Sequence, residues 1–294
     1  MPLRVLLVCK RTSFEAYAAE GADPALQRVL RRGGSIASTI RAAHREHTAT
    51  VAAVSRALDA AGAHTRRVVG ARFPPPAARG PFDLVVSVGG DGTFLEAARL
   101  AGSTPILGVN SDPRRSVGRF CGAVRATFAR VLRDFLAGRL RAVSLARLHA
   151  TAGTRAGEAL NDLLVAHLSP ASTSSYVLAL RPRGPRERQR SSGLWISTAA
   201  GSTGAIRSAG GRVMPLRSRR VQFLVREAYR GATGRGRPRL RGGLVEPGHW
   251  LELECRMTQA VVYFDGGRAR WTLRLGDVLR VEVSPTPCNA LAVR

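Results

Sequence analysis

The pentapeptide Gly89-Gly-Asp-Gly-Thr93 is the first place where residue types and spacing point to chemistry. It follows Asp83-Leu-Val-Val-Ser-Val88, which reads as a buried strand. In open α/β sheets ligands bind outside the carboxyl ends of strands, where this loop falls. Gly89, Gly90 and Gly92 carry no Cβ, so backbone N–H groups can come close to an anion. The helix expected next, from about Phe94 to Leu100, turns its positive end to the same point. One carboxylate, Asp91, stands among them. Beside a polyphosphate it is unfavourable unless it binds a metal ion or takes a proton from an attacking hydroxyl. A plain glycine-rich turn has no use for it.

Two further segments carry polar groups in apolar surroundings. Asn161-Asp162 lies inside Glu158-Ala-Leu-Asn-Asp-Leu-Leu-Val165. Burying such a pair is costly without partners. Asn offers a donor and an acceptor to an adenine edge, and Asp can accept from ribose hydroxyls; a tight turn or bulge explains the pair equally well. The segment Ser197 to Gly211 has thirteen small or hydroxylic residues in fifteen, the exceptions being Ile206 and Arg207. It lies between apolar runs, which favours a binding loop over a flexible linker. The P-loop pattern and the dinucleotide fingerprint G-x-G-x-x-G are both missing.

The elements that must position these residues fall into two patterns. Strands at Arg4–Val8, Thr65–Val69, Asp83–Val88 and Pro105–Val109 alternate with a helix over Thr48–Ala61 and the one after the glycine loop. That predicts an open parallel sheet with helices on both faces. A helix over Val124–Leu136 follows. Short β-like runs then dominate: Ala142–Ala150, Ala159–Leu168, Tyr176–Leu180, Leu194–Thr198, Trp250–Cys255, Ala260–Phe264, Trp271–Leu275 and Val278–Val283. They predict an all-β layered domain. Phe73–Pro76 reads as a loop, and the arginine-rich stretches Arg181–Arg190 and Arg230–Gly243 read as exposed loops.

Composition narrows the classes. The chain has 294 residues, 45% of them apolar and 22% charged, enough for a sizeable core. No apolar run approaches the ~18 residues of a membrane span, so no membrane partner is expected. The opening run Leu3–Cys9 reads as a strand and not a leader. The cysteines Cys9, Cys121, Cys255 and Cys288 are too far apart for a zinc or redox motif, and the six histidines form no ligand set. A reduced, cytoplasmic setting and no metal-ligating residues are expected. The net charge of +26 invites nucleic acid, but 45 of the 46 basic residues are arginine, Lys10 being the exception. That choice resembles codon bias, and with only 5% aromatics the chain lacks a base-stacking platform. Nucleic acid is therefore not an expected partner.

Taken in order, the three motifs resemble those of the NAD kinase family: a GGDGT loop, an Asn-Glu or Asn-Asp pair, and a run of the form STPTGSTAYSLSAGG. Phe264-Asp-Gly-Gly267 lies where the family has a late Asp-Gly-Gln strand end. The resemblance spans residues from about 80 to 267. It is nearest to the divergent mitochondrial-type branch, through Gly108-Val-Asn-Ser-Asp-Pro-Arg-Arg-Ser116 and Ser191-Ser-Gly-Leu194. The chain departs from the family at Ser192, where an Asp is usual, at Ala199-Ala200 for Pro-Thr, and at Gly204-Ala205 for Ala-Tyr.

The resemblance implies a phosphofructokinase-like α/β domain over 1–120, a β-rich sandwich-like domain over 121–275 that binds NAD, and strands in 276–294 that return to the first domain. It implies transfer of the γ-phosphoryl of ATP, or of polyphosphate, to the 2′-hydroxyl of the NAD adenosine ribose, giving NADP. Asp91 would be the base. Gly89, Gly90, Gly92 and Thr93 would cradle phosphates, with Asn110 nearby and Arg114, Arg115 or Arg207 assisting. Asn161 and Asp162 would hold the adenosine; Ser192, Thr198, Gly201, Ser202, Thr203 and Ser208 would line the site. Mg²⁺ or another divalent cation would accompany ATP, and a homo-oligomer, a dimer by preference, is expected. Two alternatives stand beside it. One is a lipid kinase of the diacylglycerol or sphingosine type, which shares GGDGT but needs neither Asn161-Asp162 nor the Ser197–Gly211 run. The other is a non-catalytic nucleotide-binding protein, which would gain little from Asp91.

Overall fold

The structure, a computed structural model, describes residues 1–18, 23–70, 80–229, 238–267 and 269–293. The chain divides into two compact units, Met1–Val143 with Asn289–Arg294, and Ser144–Cys288. The first holds β1 (Arg4–Cys9), α1 (Ser13–Ala18), α2 (Pro24–Arg32), α3 (Gly34–Ala60), β2 (His64–Val69), β3 (Leu84–Gly89), α4 (Asp91–Ala101), β4 (Ile106–Asn110), β5 (Ala123–Val124) and α5 (Phe128–Leu136). β6 (Ala142–Leu145) runs across the boundary. The second unit holds β7 (Leu148–Ala152), β8 (Arg155–Ala159), β9 (Asp162–His167), β10 (Ser174–Arg181), β11 (Arg186–Ser191), β12 (Gly193–Ser197), α6 (Ala205–Ser208), β13 (Val221–Arg226), β14 (Gly242–Val245), β15 (Trp250–Cys255), β16 (Ala260–Phe264), β17 (Ala269–Leu273) and β18 (Val278–Val283). β19 (Cys288–Leu291) then joins the sheet of the first unit.

Among the described residues that sheet has the order β2-β1-β3-β4-β19-β6, with β5 beside β4. β1 pairs in parallel with both β2 and β3, and β3 in parallel with β4. β1 and β3 are buried along nearly their whole length, as strands covered on both faces must be. Val5, Leu7, Val86, Val88, Leu107 and Val109 share one core with Val51, Val54 and Leu58 of α3 and Phe128, Val131 and Leu132 of α5. α4 packs against β1, β3 and β4. The chain passes from β1 outward to β2 on one side and to β3 on the other, so the topological switch point lies between β1 and β3. The glycine loop leaves β3 there.

The second unit is built on two antiparallel sheets, ordered among the described residues β11-β10-β15-β18-β7-β8 and β14-β13-β12-β9-β16-β17. Leu148, Tyr176, Leu178, Leu253 and Leu279 of the first meet Leu163, Val165, Ile196, Phe223 and Val262 of the second in one core. The two sheets form a sandwich. The α/β-plus-sandwich class expected for the chain is the one found.

Several elements differ from expectation. The helix expected from Thr48 begins at Gly34, because its first half buries only Ala37 and His47 and shows little apolar periodicity. α1 and α2 were not anticipated. α1 opens with a reciprocal cap: Thr12 N–H donates to Glu15 Oε2 (2.7 Å) and Glu15 N–H to Thr12 Oγ1 (3.2 Å). The helix expected from Val124 begins at Phe128, since Val124 is taken into β5. Arg181–Arg190 is not an exposed loop but the hairpin of β10 and β11. Its alternation hides in charged residues: Arg186, Arg188 and Arg190 point out, while Gln189 and Ser191 are buried. In the Arg230–Gly243 stretch, residues 230–237 lie outside the described residues and Gly242 opens β14. The Phe73–Pro76 loop also lies outside them.

Candidate active site

In the first unit the site is built at the carboxyl edge of the parallel sheet. Gly89 pairs with Asn110 at the ends of β3 and β4, and Ser111 N–H donates to Gly89 O (2.9 Å). A Cβ at Gly89 would collide with the Thr93 side chain, and one at Gly90 with Ser116 Oγ. These two glycines are required by the fold. Gly92 is different: a Cβ there meets nothing within 4 Å. The space above it is open to a ligand. Thr93 is buried, and its N–H donates to Gly90 O (3.0 Å) in the first turn of α4.

Asp91 occupies the start of α4, where the helix dipole favours an anion. Its Oδ1 accepts from Phe120 N–H at 2.9 Å. That bond fixes the carboxyl group, and the side chain is partly exposed. The Phe120 ring is held in turn by stacking on Phe94, with centroids 5.3 Å apart. Asn110 spends both ends of its amide on its own loop. Nδ2 donates to Ser116 O (2.9 Å), and Oδ1 accepts from Asp112 N–H (3.1 Å). Gly118, at φ 62°, lets the chain pass against that amide. Arg115 is paired with Asp112 (2.9 Å), while Arg114 is exposed with no ion-pair partner among the described residues.

A polar group lies next to this loop that the sequence reading missed. Lys10 N–H donates to Val88 O (3.0 Å), so the exposed Lys10 leaves β1 beside the glycine loop. Thr12 Oγ1 contacts His44 Nδ1 (3.0 Å) and His47 Nδ1 contacts Ser111 Oγ (3.1 Å). Burial pushes His47 down to about 4, with Glu15 opposing and Lys10, His44 and Arg67 adding to the shift. His47 is therefore neutral at physiological pH. The helix carrying both histidines was read as beginning only at Thr48, so nothing in the sequence placed them at the sheet edge.

In the second unit the turn Leu160–Asp162 leads into β9. Its carbonyls are held by the third motif: Thr198 N–H donates to Asn161 O (2.9 Å), as does Ser197 Oγ (3.1 Å), and Thr198 Oγ1 donates to Leu160 O (2.5 Å). A Cβ at Gly201 would collide with Asn161 O, so the two segments touch backbone to backbone. Asn161 Oδ1 is buried with no hydrogen-bond partner among the described residues. It is an acceptor waiting for a donor. Asp162 lines a cleft of about 290 Å³ with Leu164, Trp195, Tyr263, Gly266 and Gly267. Trp195, Leu164 and Tyr263 are cross-strand neighbours and form an apolar floor suited to a flat ring.

The remaining third-motif residues separate by role. Ser202 is fully buried and spends its hydroxyl on Ala199 O (2.7 Å) and Met214 N–H (2.9 Å). Thr203 lies in the same short turn, partly exposed. Ser208 ends α6 and is exposed. Ser192 precedes β12, while Thr198 follows it, so the extended strand holds them ~20 Å apart along the chain. The structure does not bring Ser192 to the Asn161–Thr198 cluster. Asp265, of the Phe264–Gly267 segment, contacts this turn directly through its carboxylate. Among the described residues no three His, Cys, Asp or Glu side chains converge to hold a metal ion, and no helix is long and apolar enough to cross a membrane.

Residues 6–139 match the family model described as ATP-NAD kinase N-terminal domain. A probable NADH kinase of Oryza sativa subsp. japonica is 38% identical over 221 residues, which cover 68% of this chain and 67% of that protein. NAD kinase 2, mitochondrial, of Homo sapiens is 30% identical over 251 residues, covering 68% of this chain and 56% of that one. The crystal structure of an NAD kinase from Archaeoglobus fulgidus in complex with ATP superposes with a TM-score of 0.63 at 20% identity, covering 99% of this chain and 94% of the other. That likeness bears on the fold. The relatives are NAD and NADH kinases, including the mitochondrial type expected, and they support that activity and not the lipid-kinase alternative. With both sheet systems, the glycine loop and the Asn161-Asp162 turn in place, the chain belongs to the NAD kinase family and is an enzyme of that family.

Proposed function

We propose that this enzyme moves the γ-phosphoryl group of ATP to the 2′-hydroxyl of the adenosine ribose of NAD, with Asp91 as the base. The observation that carries the reading is the Asp91 carboxyl group, anchored through one oxygen by Phe120 N–H at the start of α4 and flanked by Gly92, whose missing Cβ leaves open space. Asp91 takes the proton from the 2′-hydroxyl. That oxygen bonds to the γ-phosphorus, the bridging P–O bond to the β-phosphate breaks, and ADP departs with the electron pair. Gly89, Gly90, Gly92 and Thr93 present backbone N–H groups to the phosphates, and the N-terminal end of α4 favours their charge. Arg114, exposed and without an ion-pair partner among the described residues, and Lys10, exposed beside the glycine loop, are the cations that would assist.

Asn161 and Asp162 hold the adenosine. The orphaned Asn161 Oδ1 supports this, because an adenine amino group would supply the missing donor. Ser197 and Thr198 hold the turn through its carbonyls, and Ser202 holds Ala199 and Met214 around its own loop. A divalent cation such as Mg²⁺, bound with the ATP phosphates, would neutralise part of their charge. NADH is included as an acceptor beside NAD. The name of the rice relative supports this for NADH. We place the enzyme in the cytoplasm as a homodimer. The four free cysteines support a reducing compartment.

The test is NADP formation by the purified chain from NAD, ATP and Mg²⁺, read through an NADP-specific dehydrogenase. Asp91→Asn is expected to keep the fold and NAD binding and to lose about 10²-fold or more in kcat. Unchanged turnover in that variant removes Asp91 from the base role.

A further inference from the structure

We propose that Asp265 is a positioning residue for the dinucleotide, holding the turn that carries Asn161 and Asp162 in the form the adenosine meets. The proposal rests on the reading above that these two side chains bind adenosine.

Asp265 follows β16 in the left-handed region, at φ 49°, and Gly266 continues there at φ 93°. Asp tolerates this conformation better than most residues. The turn aims the carboxylate at three successive backbone donors. Oδ1 accepts from Asn161 N–H (2.7 Å) and Asp162 N–H (3.3 Å), and Oδ2 accepts from Leu160 N–H (3.1 Å). Asp265 N–H donates back to Asp162 O (3.0 Å). On the other side Ser197 and Thr198 hold the carbonyls of Leu160 and Asn161. The backbone of the turn is thus committed to protein partners at both edges, and the unpartnered atom it carries is Asn161 Oδ1.

Only a carboxylate satisfies this arrangement. An amide at 265 would turn its NH₂ against a donor, leaving at least one N–H without an acceptor. The charge has a second effect. Burial and then the Asp265 carboxylate push Asp162 up to about 7. Tyr263, also from β16, is the other titratable side chain lining the cleft; β9 and β12 add Leu164 and Trp195, which do not titrate. Asp265 therefore fixes the backbone that carries Asp162 and, on top of burial, raises the pH at which that carboxyl group becomes a full acceptor.

The experiment is calorimetric titration of NAD into the purified full chain between pH 5.5 and 8.5. Wild type is expected to bind more tightly as pH rises through a midpoint near 7. Asp265→Asn is expected to weaken NAD about tenfold, to leave the KM for ATP within about twofold, and to move the midpoint down by about one unit or more. Asp265→Glu keeps the charge but displaces it, so it is expected to lose affinity with the midpoint in place. Unchanged affinity in Asp265→Asn, or the same midpoint in Asp265→Asn and Asp265→Glu, overturns the proposal. Should Asp265→Asn not fold, Asp162→Asn must flatten the pH profile, and a wild-type profile in that variant overturns the proposal instead. Failure of the wild-type chain to bind NAD overturns the underlying reading, which separates the two failures.

Discussion

Replacing Asp162 by Asn should stabilise the protein at neutral pH while weakening its hold on NAD. Asp162 is 8% exposed, and its pKa rises from 3.8 to about 7 through burial and the Asp265 charge. A carboxyl group with a raised pKa holds its proton in the folded state after the unfolded chain has released it. Between pH 3.8 and about 7 the folded state binds more protons, so stability falls as pH rises and stops falling above about 7. The penalty reaches about 4 kcal/mol at pH 7 to 8. His47 runs the other way. Its pKa falls from 6.5 to about 4, so stability is lost as pH drops through that window, by about 3 kcal/mol. The two slopes nearly cancel in the wild type between pH 4 and 6.5. Urea unfolding of the wild type alone is therefore uninformative, and the difference between wild type and Asp162→Asn isolates the carboxylate. That difference is expected to be small at pH 4 and to grow to about 4 kcal/mol in favour of the variant by pH 8. A difference that stays constant across this range refutes the buried-charge account of Asp162.

Other perturbations separate architecture from chemistry. Asn161→Ala should raise the KM for NAD about tenfold and leave that for ATP nearly unchanged, as steady-state kinetics with each substrate varied will report. Gly89→Ala should cost about 1–3 kcal/mol in denaturant unfolding, because its Cβ lands on Thr93. Gly92→Ala should leave stability within about 0.5 kcal/mol, its Cβ meeting nothing, yet lower kcat where the phosphates need that space. Phe94→Ala should cost about 3–5 kcal/mol, because Phe94 is fully buried and stacked on Phe120. It should also lower kcat by loosening the donor that anchors Asp91.

The glycine loop was legible because its neighbours leave few choices. A continuous apolar run before it could only be a doubly covered strand, and three glycines around one carboxylate have few uses. The Asn161-Asp162 turn was half legible. Its polarity stood out, but the acceptor that holds its N–H groups, Asp265, lies on a strand far along the chain. The third motif offers hydroxyls suited to a ligand, and those of Thr198 and Ser202 also bond backbone groups of the protein. Residue type alone cannot separate those uses. The β10–β11 hairpin was hidden for another reason: its inward side is Gln189 and Ser191, so the alternation is polar against charged. The pair of histidines beside the loop escaped because a long helix whose first half buries little gives almost no periodic signal.

The position of β19 bears on how this protein is made. In the first sheet β19 lies between β4 and β6, with Ala290 paired to Ile106. A ribosome delivers β4 early and β19 near the end, so at ~5–20 residues per second the gap is on the order of ten seconds or more. For that interval the nascent chain carries a buried-type strand whose free edge is covered only at Val109 and Asn110 by β5, next to the glycine loop. Such edges recruit other strands. Yield in a heterologous host should therefore depend on chaperone supply during synthesis, and slow codons placed between β4 and β19 should lower it by lengthening the wait.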